Sequence, residues 1–574
     1  MAACRSARPS ASQVLRYNGF RRSRRRDNWE VLLLRFAAAA AIAGLLWLPA
    51  AGPAPRTCFE DVAGKAGLKY ISDNGPTPEK HMIETMAGGL AVFDYDGDGR
   101  PDIFFTGGAA IPSMRKNDPR FFNRLFHNEG KMQFRDVTDE AGVAGDGYSM
   151  GAAVADFDND GRPDLFVSGV YHNTLYRNLG NGRFQDVTAR SGIHSDEWSV
   201  AAGWFDFDND GLLDLIVVNY GAWDPANEHY CGDRTRNLRV YCHPKYYDPR
   251  PNQLYRNRGD GTFEDVTKSS GVGASPGRAM GVAFADYDRD GRMDVFVTND
   301  NLPNFLFHNL GGGKFEEVAL LSGVALLDSG KPVASMGAEF RDYDNDGWPD
   351  IIVVALSGET FPVFHNEKNG SFRDATYQSR IGRLSRAHGG WGPLLADFDN
   401  DGWKDLFTSG AHVNDIVEQF EPTTYRQANS LFFNLANGQF TDSGCDALEG
   451  SVRAHRGDAA ADFDGDGKLD VVVAAMGEPA ELWRNTGTSA NHWLLVRLKG
   501  VKSNRDGIGA AVRIGNQVYE MSTPAGYSSS NLSGLHFGLG PTARVPEIEV
   551  RWPSGIVQKV KDVEADRSIT IEEK

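Results

Sequence analysis

One nonapeptide, Asp-[Phe/Tyr]-Asp-x-Asp-Gly-x-x-Asp, occurs seven times in this 574-residue chain, starting at Asp94, Asp156, Asp206, Asp286, Asp342, Asp397 and Asp462. A motif repeated so often must be part of one supersecondary unit used over and over, so the chain has to be an array. The intervals of 62, 50, 80, 56, 55 and 65 residues are too irregular for a thin solenoid. They suit four-stranded blades with loops of variable length. Short β-branched runs follow the motif, as in Ile103–Thr106, Leu215–Val218, Ile351–Val354 and Val471–Val473, and these read as strands. The 65 glycines, about 11% against a usual 7% or so, agree with a turn-rich all-β chain.

A second block shows how the array ends. Leu/Val-[Phe/Tyr/Trp]-x-Asn begins at Leu125, Leu175, Leu254, Leu306, Val363, Leu431 and Leu482, and each copy but the last is followed by a further strand signal. The half missing after Leu482 stands at the other end of the repeats, as Phe59-Glu-Asp-Val62. An N-terminal strand that completes the last blade closes the ring without an exposed edge. The expected fold is a seven-bladed β-propeller over residues 59–488, followed by a small β-sandwich over 489–574, where apolar and polar residues alternate in short runs such as Ile548–Trp552.

The repeat also carries chemistry. Positions 1, 3, 5 and 9 are Asp94, Asp96, Asp98 and Asp102 in the first copy, and Asp156, Asp158, Asp160 and Asp164 in the second. They are Asp206, Asp208, Asp210 and Asp214 in the third, and Asp286, Asp288, Asp290 and Asp294 in the fourth. The fifth has Asp342, Asp344, Asp346 and Asp350, the sixth Asp397, Asp399, Asp401 and Asp405, and the seventh Asp462, Asp464, Asp466 and Asp470. Four carboxylates around a Gly turn form an oxygen cage for a hard cation, and Ca²⁺ is expected at up to seven sites. Mg²⁺ fits less well because it keeps its waters. The loop opens like an EF-hand, but its twelfth position is Phe105, Val167, Val217, Val297, Val353, Thr408 or Val473. None of these is the bidentate Glu of an EF-hand.

Charge and cysteine usage bound the setting. Residues 1–35 carry +7, which leaves −24 of the total −17 on the remainder; an acidic body argues against a nucleic-acid surface. An Arg-rich segment (1–30) precedes an apolar run (31–51) and a Pro-rich linker (52–58). That is the layout of a signal peptide or of a single N-terminal membrane anchor, so the body is expected outside the cytoplasm, secreted or anchored. Among the five cysteines, Cys231 and Cys242 lie in one loop of an exported chain and are expected to be disulfide-bonded. Cys58 and Cys445 are a second candidate pair, because ring closure brings Phe59 into the last blade.

The frame Gly-x-x-x-x-Asp-[Phe/Tyr]-Asp-x-Asp-Gly, as in Gly281–Gly291, resembles the FG-GAP/VCBS repeat of integrin α propellers. Asn491–Leu498, Gly507–Val512, Gly526–Ser530, His536–Gly540 and Val550–Gly555 resemble the ASPIC/UnbV domain. Together they resemble the cartilage acidic protein family and its bacterial relatives. The resemblance implies fold and calcium binding, and it implies no catalytic activity.

Two insertions interrupt the repeat, at 220–252 and 412–429. Both follow the strand after an acidic loop, so both are expected on the same end of the propeller. Their Trp223, His229, Tyr230, Tyr241, His243, His412, Phe420 and Tyr425 form the expected surface for an extracellular protein or glycan, since loops on a rigid scaffold commonly carry recognition. The alternative is an extracellular hydrolase or lyase with its site in these loops; a third reading is a structural role in the envelope. No His-Glu-x-x-His or phosphate loop supports the enzyme.

Overall fold

The structure is a computed structural model that describes residues 58–194 and 196–574. The Arg-rich segment, the apolar run and all of the linker except Cys58 lie outside the described residues. No helix among the described residues is long and apolar enough to cross a membrane.

Seven four-stranded antiparallel arrays carry the seven repeats, in a propeller-like all-β arrangement. In the second, Tyr148–Ala155, Asp164–Val170, Thr174–Asn178 and Phe184–Asp186 pair in chain order, and the nonapeptide is the turn between the first two strands. The seventh is built from His455–Ala461, Asp470–Ala475 and Glu481–Asn485, and its fourth strand is Phe59–Asp61. Phe59 lies opposite Asn485 and Asp61 opposite Trp483. The two halves of the split repeat therefore meet as one sheet, and the Cys58–Cys445 disulfide anchors the start of that strand.

The first strands of successive sheets pack side by side, and that of the seventh packs against Leu90–Phe93 of the first. Apolar layers fill the spaces between sheets. Phe93, Phe104 and Leu125 meet Val154, Leu165 and Tyr176 between the first and second. Leu90 and Ile103 meet Val472 and Leu482 between the first and seventh. One hydrogen bond recurs at these junctions. The amide of Asn178 donates to the carbonyl of Tyr95 in the preceding sheet, and Asn257, Asn309, Asn366, Asn434 and Asn485 repeat the contact with Phe157, Phe207, Tyr287, Tyr343 and Phe398. Asn128 makes the same bond to Phe463 of the seventh sheet. Each satisfies a carbonyl that packing would otherwise strand, for a net gain of about 1 kcal/mol.

The C-terminal region has two sheets. His492–Lys499 lies between Leu535–Gly540 and Arg567–Glu572; Gln517–Glu520, Ala511–Ile514, Arg544–Arg551 and Val557–Glu564 form the other. Val496, Val512, Phe537, Val550 and Trp552 share one apolar cluster, which runs on into Phe157, Trp204 and Phe263 of the repeats. The expected free-standing sandwich is modified in one respect. Pro524–Ala525 and Ser529–Asn531 leave it to extend the first sheet, with Ser530 opposite Ala91 in parallel pairing. Between them Tyr527 is fully buried, its hydroxyl donating to the carbonyl of Met86 (3.1 Å) and its ring standing edge-on to Trp391 at 4.9 Å.

Candidate metal centres and the loop-bearing face

Within each nonapeptide, backbone N–H groups hold the carboxylates of positions 1, 5 and 9; that of position 5 accepts from the N–H of position 7, as Asp160 does from Arg162 N (3.1 Å). In the second loop, Asp156 accepts from Asp160 N (2.9 Å) through Oδ1 and from Gly161 N (2.6 Å) through Oδ2. Asp164 accepts from Asn178 N (2.7 Å) and from Phe157 N (3.2 Å). Both pairs of bonds recur in all seven loops. Against this fixed set stands the side chain of position 3. One carboxylate oxygen from each of Asp156, Asp158 and Asp164 lies within 4.8 Å of the others, and Asp94, Asp96 and Asp102 form the same group. Asp158 Oδ1 and Asp208 Oδ1 are buried with no hydrogen-bond partner. An oxygen donor set with orphaned carboxylate atoms fits a hard divalent cation.

The electrostatics agree with that fit. Burial, with neighbouring carboxylates adding to it, pushes Asp102 up to about 8 and Asp206 to about 7. Burial followed by Asp506 of the C-terminal region brings Asp156 to about 7. Burial without a counter-charge thus disfavours the ionised form of these acids.

The loops differ in a feature that the nonapeptide does not contain. The variable residue of Leu/Val-[Phe/Tyr/Trp]-x-Asn faces the acids of its own sheet. In the first, fourth and fifth it is His127, His308 or His365, each with Nδ1 3.1 Å from the position-9 carboxylate. In the second, third and seventh it is Arg177, Arg256 or Arg484, paired with Asp158, Asp208 or Asp464. In the sixth it is Phe433, and among the described residues no basic group forms an ion pair with Asp397, Asp399, Asp401 or Asp405. The signal in the sequence is the identity of x, a position that the motif leaves open.

Both insertions stand at the opposite end of the sheets, where the second strands finish. They meet there through a third segment. Lys80 pairs with Asp415 of the second insertion, and Tyr241 of the first donates to Glu84 (3.0 Å). Glu228 accepts from Tyr247 (2.9 Å) and from the Trp223 indole, and lies 3.0 Å from His81 Nδ1. Burial raises Glu84 above the ordinary carboxylate range. Beneath this layer the guanidinium of Arg456 lies 3.7 Å over Trp391, which in turn packs on Tyr527.

The expected recognition residues divide accordingly. Trp223, Tyr241 and His412 are buried, a correction to their reading as surface groups: the first two are held by the carboxylates of Glu228 and Glu84, and His412 accepts from Asn414 N. His229, His243 and Phe420 are exposed, while Tyr230 and Tyr425 are half-buried. Tyr246, 45% exposed, joins the group beside His229, their rings 5.1 Å apart. Cys231 and Cys242 are disulfide-bonded and bound this loop.

This geometry coincides with known sequence families. The FG-GAP-like repeat matches residues 94–167, 163–217, 240–297, 286–353 and 342–408, the FG-GAP repeat matches 457–491, and ASPIC and UnbV matches 500–574. The chain belongs to the FG-GAP-repeat family and carries an ASPIC/UnbV domain. Among individual proteins it is similar to Cartilage acidic protein 1 of Homo sapiens, with 29% identity over 321 residues that make up 54% of this chain and 45% of the human protein. The Mus musculus protein is 29% identical over 322 residues, 54% of this chain and 46% of the mouse protein. The chain thus spans about half the length of the curated relatives it matches. Similar solved structures include an Agrocybe aegerita lectin described for specific recognition of non-reducing terminal N-acetylglucosamine, at 17% identity and TM-score 0.40 over 69% of this chain and 87% of the lectin. YCF48 bound to D1 peptide is another, at 8% identity and TM-score 0.40 over 76% of this chain and 99% of that one.

Proposed function

We propose that the chain is an exported, seven-bladed calcium-binding propeller, secreted or held by its N-terminal segment, that binds an extracellular protein or glycan through the face bearing the two insertions. The observation carrying this reading is their convergence: segment 80–84 joins loops from the third and sixth sheets, by Lys80 with Asp415 and Tyr241 with Glu84, into one surface. On that surface His229, Tyr246 and Phe420 are exposed above a fixed layer of buried polar groups. Exposed aromatic groups on an ordered support are the usual anchors of recognition. Two disulfides support an oxidising compartment.

Calcium enters as the support of the ring. The donors would be positions 1, 3, 5 and 9 of each loop, from Asp94, Asp96, Asp98 and Asp102 through Asp462, Asp464, Asp466 and Asp470, and the ion would offset their mutual repulsion at one end while recognition occurs at the other. Glycan and peptide arrays probed with the calcium-loaded chain and with a Tyr246→Ala/Phe420→Ala variant test the assignment. Ligands retained by the parent and lost by the variant are expected. Identical array patterns would move recognition to another face.

A further inference from the structure

The C-terminal segment that extends the first sheet leaves a cavity of about 320 Å³ beside it, walled by the first strands of the fifth, sixth and seventh sheets. Glu339 and Arg341 come from the fifth, Leu394 from the sixth and Ala460 from the seventh; Tyr519 and His536 close it from the C-terminal region. It lies on the acidic-loop side, apart from the loop-bearing face, and its volume is that of a small-molecule site at a domain junction.

Some of its polar atoms have no partner in the protein. Tyr519 is 5% exposed and its hydroxyl has no hydrogen-bond partner; the ring itself is fixed edge-on to Phe537 at 4.5 Å and lies 4.1 Å beneath Lys404 Nζ. His536 is 7% exposed and stacked on Trp493 at 5.9 Å. Its Nε2 bonds the carbonyl of Gly467 (3.2 Å) and so carries the proton, which leaves Nδ1 an acceptor without a partner. Arg341 donates through Nε to Glu339 (2.7 Å), and its two terminal nitrogens donate to no group among the described residues. A guanidinium whose Nε edge is already held presents the remaining N–H groups in a fixed direction, the geometry that recognises a carboxylate. Apolar side chains, among them Leu394, Leu469 and Met521, complete the wall.

We infer that this cavity binds a small organic acid, a carboxylate on an apolar or aromatic body. The acid oxygens take the free N–H groups of Arg341 and the Tyr519 hydroxyl, while the body replaces water against the leucines. Isothermal titration of the full chain in saturating calcium, with benzoate and hexanoate set against benzamide and hexanol, tests it. Saturable binding of the acids at least tenfold tighter than of the neutral analogues is expected. The paired variant Glu339→Gln/Arg341→Met, which leaves no lone buried charge, should lose that discrimination, and Ala460→Phe should exclude all four compounds. Equal affinity for acid and amide, or binding unchanged in both variants, overturns the inference. A crystal soaked with 4-bromobenzoate decides independently of any variant: bromine in this cavity supports the site, and bromine elsewhere or nowhere refutes it.

Discussion

A Cβ built on Gly538 would stand 1.9 Å from Oδ2 of Asp397, so the His536–Gly540 run of the C-terminal domain rests directly on the sixth acidic loop. Gly540 N donates to the Asn400 carbonyl (2.8 Å) and Asn491 donates to that of Asp399 (3.0 Å). The loop so clamped is the one without a basic partner, and its Asp397 and Asp405 are both 1% exposed. At this loop the domain packs on buried carboxylates that no ion pair among the described residues offsets.

Replacing Gly538 by Ala should push Asp397 off its bonds to Asp401 N and Gly402 N. The expected loss is about 1–3 kcal/mol, as for other overpacked sites. Gly64→Ala, where nothing lies within 4 Å of the new carbon, is the control. Thermal melts in calcium should separate the two variants; coincident curves would mean that the loop yields without cost.

The second loop should behave in the opposite sense. Arg177 pairs with both Asp158 (2.5 Å) and Asp160 (3.1 Å), a built-in counter-charge expected to compete with a cation. Arg177→Met is expected to lower the stability of the calcium-free chain, by no more than about 1 kcal/mol because the arginine is 36% exposed. It should also enlarge the rise in melting temperature produced by calcium. If that rise shrinks instead, Arg177 assists the ion.

What can be read from the sequence is what the repeat itself encodes. The strand pairing of Phe59–Asp61 with Glu481–Asn485 follows from a motif whose halves stand at opposite ends of the array. Tyr527 does not follow: its burial depends on Met86 and Trp391, far apart in sequence from it and in no common motif. Aromatic residues of an insertion read alike whether they face solvent or a buried carboxylate. Trp223 and Tyr241 therefore read as surface groups, and only the folded chain sets Glu228 and Glu84 beside them.

The acid loops also fix a pH dependence whose sign is opposite to that of ordinary acid denaturation. An unfolded Asp releases its proton near 3.8, whereas in the folded, ion-free chain burial holds Asp286 and Asp462 to about 6, Asp156 and Asp206 to about 7 and Asp102 to about 8. Between about pH 4 and pH 8 the folded state thus binds more protons than the unfolded one, and stability must fall as pH rises through that window. Each such group costs up to about 1.4 kcal/mol for every pH unit climbed between its unfolded and folded pKa. Added calcium is expected to reverse the trend, because protons would compete with the ion for the same oxygens. Calorimetry on chain dialysed free of divalent ions should give a higher melting temperature at pH 5 than at pH 8, and the increment from added calcium should be larger at pH 8. An ion-free chain that melts higher at pH 8 than at pH 5 would show that the loop carboxylates are not desolvated in the folded state, and the argument for cations as their counter-charge would fail with it.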